Sequence, residues 1–267
     1  MTMKNIDAVI FDWAGTTIDY GCFAPLLVFI KIFEDRGISI TTDEAREPMG
    51  LLKIEHIRAL TQMENVRNQW IERYGSKPTE QDIVNMNEEF EAKLFEVLPD
   101  FTDPIPGVLE VVKELRDRGV KIGSTTGYTR EMMNIVAECS KEKGYAPDFY
   151  TTAEDVKEGR PYPWMIYHNA MNLGVYPVTR MIKVGDTVSD MLEGRNAGIT
   201  TIGVILGSSV LGLTLEEVNI MAPDQLELKI DAARETFMEA GAHYVIDSMD
   251  ELVPLIDALE KQTEVLI

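Results

Sequence analysis

The chain is short of cysteine, short of basic residues and free of long apolar runs, and each shortage excludes something. Cys22 and Cys139 are the two cysteines among 267 residues, too few for a disulfide framework. They read as reduced thiols of a cytoplasmic protein. Lys and Arg number 25 against 45 Asp and Glu, for a formal net charge of −20. Such a field opposes nonspecific binding to nucleic acid or to an anionic membrane. It does not bar an anionic small molecule, because a local cluster of donors overrides a distant field. No apolar stretch is long enough to span a membrane. The N-terminus carries no signal-peptide pattern, since Asp7 and Asp12 bracket a very short apolar run. Internal repeats and low-complexity segments are absent as well.

What is present is an alternation of strand and helix. Hydrophobic residues make up 45% of the chain, enough for a sizeable core. Short apolar runs predict strands at Ala8–Phe11, Lys121–Ser124, Met181–Val184, Thr200–Val204 and His243–Ile246. Helical periodicity runs from Val108 to Arg118, from Arg130 to Lys143 and from Trp164 to Leu173. These segments stop at Gly119, Gly144 and Gly174, which supply left-handed C-caps. The pattern implies βαβ units and a parallel sheet. From about Cys22 to Phe101 it changes to nearly continuous helix, broken at Pro48–Gly50 and Gly75–Pro78, with Thr41-Thr42-Asp43-Glu44 as a capping box. The fold class expected is therefore α/β. A Rossmann-like core of residues 1–21 and 102–267 carries an inserted all-helical cap domain, residues 22–101.

The chemistry gathers at predicted strand ends. Val9-Ile10-Phe11-Asp12-Trp13-Ala14-Gly15-Thr16-Thr17 takes a buried strand into an acidic residue and a turn. In open parallel sheets, ligands bind beyond the carboxyl ends of the strands. Asp12 there is a nucleophile or a ligand for a hard metal ion. Ile122-Gly123-Ser124-Thr125-Thr126-Gly127-Tyr128 runs a strand into hydroxyls and then a helix start, a setting that suits a phosphate group. Glu158-Gly159-Arg160-Pro161 offers a guanidinium able to fork onto phosphoryl oxygens. Lys183-Val184-Gly185-Asp186-Thr187-Val188-Ser189-Asp190 ends another strand at a carboxylate and repeats the carboxylate four residues on. Mg²⁺ sites commonly combine one or two such groups with water and phosphate oxygens.

Four such segments in this order resemble the motifs of the haloacid dehalogenase-like hydrolases, which form an aspartyl phosphate. Most phosphatases of that superfamily read Asp-x-Asp, the second Asp being the general acid. Here that position is Ala14. Without an acid to protonate an ester oxygen, two readings remain: a protein that only binds, or an enzyme whose leaving group needs other help. A carbon leaving group needs an electron sink, and a lysine imine on an adjacent carbonyl provides one. Lys53 is the candidate. It shares a helix side with His56, Ile57 and Leu60, opposite Glu55 and Arg58, with no acid at i+4. Desolvation there favours the neutral amine.

With Met49-Gly50-Leu51-Leu52-Lys53 added, the motif set resembles the phosphonatase family of that superfamily over nearly the whole chain. The resemblance implies hydrolysis of phosphonoacetaldehyde to acetaldehyde and phosphate in the degradation of 2-aminoethylphosphonate. It implies Mg²⁺ held by Asp12, the Ala14 carbonyl and Asp186, with Asp190 behind them. It gives catalysis to Asp12 and Lys53, and phosphoryl binding to Thr126, Gly127 and Arg160. Cys22, Met49, His56 and Tyr128 would line the site or relay protons. The family's members are usually homodimers. The competing functions are a general phosphomonoesterase or phosphomutase, against which Ala14 counts, and a silent relative that binds phosphorylated metabolites.

Overall fold

The computed structural model describes residues 6–48 and 53–264. Its strands are β1 (Ala8–Phe11), β2 (Lys121–Thr126), β3 (Phe149–Thr152), β4 (Met181–Gly185), β5 (Thr200–Val204) and β6 (Tyr244–Ile246). They form one parallel sheet in the order β3-β2-β1-β4-β5-β6. The order reverses beside β1, between β2 and β4. This is the switch point at which open α/β sheets bind ligands. Phe11 is in register with Ser124 on one side and Val184 on the other. The residues after β1 and β4 therefore leave the sheet side by side.

The chain divides into two units, Met1–Cys22 with Thr102–Ile267, and Phe23–Phe101. The second is inserted after β1 and is all-helical. Its helices are α1 (Phe23–Glu34), α2 (Thr42–Arg46), α3 (Lys53–Gln62), α4 (Glu64–Tyr74) and α5 (Glu80–Val97). The first unit adds α6 (Val108–Asp117), α7 (Arg130–Glu142), α8 (Trp164–Leu173), α9 (Val188–Ala197), α10 (Leu215–Ile220), α11 (Pro223–Glu239) and α12 (Leu252–Glu264). Among the described residues, no helix is long and apolar enough to cross a membrane.

The core of the first unit explains the apolar runs. Every residue of β1 is buried. Ala8, Ile10 and Met181 pack with Ile166, Ala170 and Leu173 of α8. Met191 of α9 packs with Ala233 and Phe237 of α11 and with Ile205. A strand covered on both faces cannot alternate polar and apolar residues, hence the unbroken runs. Inside the insert, Phe29 of α1 stacks on His56 of α3 at 3.7 Å between centroids and meets Phe90 of α5 at 4.3 Å. Thr41 with Glu44 and Thr79 with Asp82 form capping boxes that start α2 and α5.

Three expectations need correction. β3 has no counterpart among the expected strands, because Phe149-Tyr150-Thr151-Thr152 is an edge strand, half polar and only partly buried. β2 continues through Thr125 and Thr126, so these hydroxyls are strand residues rather than turn residues. The insert is less continuous than its periodicity suggests. It breaks after α1 at Gly37, whose φ of 68° ends the helix, and again at Met63 before α4.

Asn169 of α8 is the polar clasp of this sheet. It is fully buried. Its Oδ1 accepts from Ser124 N at 3.1 Å, and its Nδ2 donates to Ser124 O at 2.9 Å and to Thr151 Oγ1 at 2.9 Å. Asn169→Ala should lower unfolding stability by about 2–3 kcal/mol, because polar groups of β2 and β3 lose partners in a dry interior. Urea denaturation measures this, and a loss below about 0.5 kcal/mol would contradict it.

Candidate active site

β1 ends in a tight turn. Asp12 N donates to Val184 O at 3.0 Å, so the backbone of Asp12 is tied to β4. The Trp13 carbonyl accepts from Thr16 N, Thr17 N and Ile18 N at 3.1, 2.8 and 3.1 Å. Gly15 is required here. Its φ is 84°, and a Cβ would lie 2.3 Å from Asp186 Oδ2. Ala14 lies in the same turn, half-buried and bridged to Ile18.

Asp186 follows β4 and is fully buried. Thr16 Oγ1 donates to its Oδ1 at 3.0 Å, and Ser209 N and Oγ donate to its Oδ2 at 2.9 and 2.8 Å. Thr187 then caps α9, and its N and Oγ1 donate to Asp190 Oδ2 at 3.1 and 2.5 Å. A Cβ on Gly185 would lie 2.4 Å from that of Asp190, so only glycine lets the helix begin this close to the strand. Asp12, Asp186 and Asp190 each offer a carboxylate oxygen, all within 4.8 Å of one another.

Two cations answer part of this charge. Arg160 Nη2 donates to Asp12 Oδ1 at 2.6 Å and to Thr125 O at 2.9 Å; Nη1 meets Asp190 Oδ1 at 3.1 Å and Nε meets Glu193 Oε2 at 3.2 Å. Lys183, buried in β4, places Nζ 2.8 Å from Asp190 Oδ1 and 3.3 Å from Glu193 Oε2. Four carboxylates thus face two cations, which leaves a formal charge of −2 among mostly buried side chains.

The imbalance falls unevenly. Burial pushes the Asp186 carboxyl well above the usual range, and the charges of Asp12 and Asp190 push it further, against the Ser209 hydrogen bonds. Burial also acts upward on Asp190, but Arg160 and Lys183 outweigh it and hold that carboxyl below its ordinary value. Arg160 stays protonated: burial disfavours its charge, yet Asp12, Asp190 and Glu193 raise its pKa. Asp190 is therefore satisfied within the protein, while Asp12 and Asp186 face each other with charge to spare. A hard divalent cation bound by carboxylates fits that deficit.

Thr126 ends β2, and its Oγ1 accepts from Tyr128 N at 3.0 Å. Gly127 is exposed, and a Cβ there would meet no heavy atom within 4 Å. Thr129 caps α7. Burial raises the pKa of the Tyr128 phenol, helped by the charges of Asp19, Cys22, Asp12 and Asp186, so Tyr128 and Cys22 share the field of the Asp12 site.

Lys53 and His56 belong to the inserted unit. Lys53 opens α3, half-buried, with Nζ 5.7 Å from the centroid of the Phe90 ring. Burial lowers its pKa, opposed by the charge of Glu91. Sequence spacing offers no acid at i+4, but the fold brings one from α5. His56, Ile57 and Leu60 are buried on the same helix, and Arg58 pairs with Glu55 on the other side. His56 Nε2 lies 2.9 Å from Ala45 O, which assigns the proton to Nε2. Burial lowers its pKa to about 4, against that hydrogen bond, so the ring is neutral. Met49, with Gly50, Leu51 and Leu52, lies outside the described residues.

The structure thus brings Asp12, Arg160, Asp186 and Asp190 together and adds Thr16, Thr125, Lys183, Glu193 and Ser209. Lys183 carried a signal, as a charge inside an otherwise apolar strand. Glu193 lies three residues past Asp190, on the same side of a helix. Ser209 sits in a loop with no pattern to find.

The chain matches the model of the haloacid dehalogenase-like hydrolases over residues 6–198. It is 61% identical over 258 residues to a phosphonoacetaldehyde hydrolase of Bacillus anthracis, covering 97% of this chain and 98% of the relative. A phosphonoacetaldehyde hydrolase of Bacillus mycoides is 62% identical over the same coverage. A solved phosphonoacetaldehyde hydrolase-like protein from Oleispira antarctica superposes with a TM-score of 0.87 at 36% identity, covering 98% of this chain and 95% of that one. The chain belongs to the haloacid dehalogenase-like hydrolases. Within that class its family is that of the phosphonoacetaldehyde hydrolases.

The Asp186 shift has a measurable sign. Its folded pKa is raised, so its contribution to stability is complete below the unfolded pKa and is lost as pH rises through the folded one. In chelator, the melting temperature should fall as pH rises above the ordinary carboxylate range, more steeply for the parent than for Asp186→Asn. Excess Mg²⁺ should flatten the parent's slope. Parallel slopes in chelator would contradict the assignment.

Proposed function

We propose that this hydrolase cleaves the C–P bond of phosphonoacetaldehyde, giving acetaldehyde and phosphate, through an imine on Lys53 and an aspartyl phosphate on Asp12. The observation that carries the reading is Lys53, an amine whose burial favours its neutral, nucleophilic form, in a chain whose usual acid position is Ala14. The family's named activity and its high identity support the same substrate.

The Lys53 amine adds to the aldehyde carbonyl and water leaves, forming a protonated imine. An Asp12 carboxylate oxygen attacks phosphorus. The C–P bonding pair moves into the imine and makes an enamine, so no oxygen leaving group needs a proton and Ala14 loses nothing. Water then opens the aspartyl phosphate and releases phosphate. Protonation of the enamine carbon and hydrolysis of the imine release acetaldehyde and restore Lys53. Arg160 and Thr126 orient phosphoryl oxygens, with Gly127 leaving room for them. Asp12, the Ala14 carbonyl and Asp186 are the residues to hold Mg²⁺, which would offset repulsion between Asp12 and the incoming anion. The Thr187 cap, Arg160 and Lys183 keep Asp190 behind them. Neutral His56, bonded to Ala45, supports α3, and Tyr128 and Cys22 share the field of Asp12. The two free cysteines accord with a cytoplasmic protein. A homodimer and a place in 2-aminoethylphosphonate degradation follow from the family resemblance.

Lys53→Arg keeps the charge but cannot form the imine, so kcat for phosphonoacetaldehyde should fall about 10³-fold or more. Its melting temperature and its Mg²⁺ binding should match the parent. Retained turnover would defeat the imine route. Asp186→Ala should leave no phosphate release at any practical Mg²⁺ concentration, and an excess of chelator should silence the parent. Full activity in chelator would refute the metal assignment.

A further inference from the structure

Lys183 and Glu193 touch no reacting atom in the steps above, yet both are fully buried in the core. Burying an ion pair costs more than burying an apolar pair unless the geometry returns something. The geometry here is specific. Glu193 Oε2 receives three donors: Arg160 Nε at 3.2 Å, Thr125 Oγ1 at 3.0 Å and Lys183 Nζ at 3.3 Å. Lys183 Nζ also donates to Thr125 Oγ1 at 2.7 Å. Gly194 makes the approach possible. A Cβ there would lie 2.4 Å from Thr201 Oγ1 and 3.0 Å from the Cβ of Lys183, so α9 presses onto β4 and β5 only because glycine follows Glu193.

A guanidinium is a rigid planar fork. Fixing Nε and one Nη together fixes where the other Nη points. With Nε on Glu193 and Nη1 on Asp190, Nη2 falls 2.6 Å from Asp12 Oδ1. We propose that Glu193, held by Lys183, is the positioning residue that aims Arg160 at Asp12 and at the phosphoryl group Asp12 attacks. The inference rests on the role proposed above for Arg160. A lysine has no second donor fixed relative to the first, so Glu193 has this use only beside an arginine.

Glu193→Gln and Glu193→Ala remove the same charge, but only Gln leaves an oxygen for Arg160 Nε. Both are compared with the parent and with Arg160→Ala. The readouts are kcat and KM for phosphonoacetaldehyde, and the calorimetric affinity for inorganic phosphate in Mg²⁺, with thermal melts to report folding. Glu193→Ala should lose about 10²-fold in kcat/KM and at least about fivefold in phosphate affinity, and Glu193→Gln should stay within about fivefold of the parent in both. Should Glu193→Ala not fold, a Lys183→Met/Glu193→Met double variant removes the ions as a pair and should show the same losses. Equal losses in the Gln and Ala variants would overturn the inference, because charge alone would explain them. Unchanged phosphate affinity in a folded Glu193→Ala, or in the double variant, would overturn it too. Parent-like kcat/KM in Arg160→Ala would locate the fault in the role of Arg160 and take this inference with it.

Discussion

Carboxylates crowd together where β1 and β4 leave the sheet, and the rest of the site is arranged to tolerate them. Parallel register sets Asp12 beside the end of β4, so Asp186 emerges next to it. Backbone there has no freedom to separate the two charges. Gly15 yields its Cβ to the Asp186 carboxylate, and Gly185 yields its own to Asp190. Arg160 and Lys183 compensate Asp190, and Arg160 also reaches one side of Asp12. Asp186 is held by hydrogen bonds from Thr16 and Ser209 rather than by a paired cation among the described residues. In the function proposed above, Asp12 and Asp186 would hold a divalent ion, which would offset the charge that an incoming anion meets.

Ala14 and Lys53 divide the proposed chemistry between the two units. In that proposal the first unit supplies Asp12 as nucleophile, Arg160 and Thr126 as phosphoryl donors, and the carboxylates. The insert holds an amine whose pKa is depressed by burial among apolar neighbours and partly restored by Glu91. An ester phosphatase needs its acid in the core turn, at position 14. A C–P hydrolase needs none there, because the departing electrons enter the imine.

Sequence patterning revealed the buried strands and the ends that carry function, because a strand covered on both faces is mostly apolar. Asp12 and Asp186 stood out as the first charges after such runs. The order of four motifs, with Ala14 and Lys53, pointed to the family. The edge strand β3 was hidden because Tyr150, Thr151 and Thr152 do not make an apolar run. The packing partners of Arg160 were hidden for another reason: Glu193 reaches it from a helix and Thr125 from a strand, and no local spacing joins them. Glu91 near Lys53 was equally invisible, since α3 and α5 are separated in sequence by α4.

The most direct test of the account is covalent. Borohydride added with phosphonoacetaldehyde, or with acetaldehyde, should reduce the imine to a stable secondary amine and inactivate the protein. Peptide mass mapping should then find the adduct on Lys53, while borohydride alone should leave the protein active. An adduct confined to another lysine, or none during turnover, would contradict the central claim that Lys53 supplies the electron sink Ala14 makes necessary.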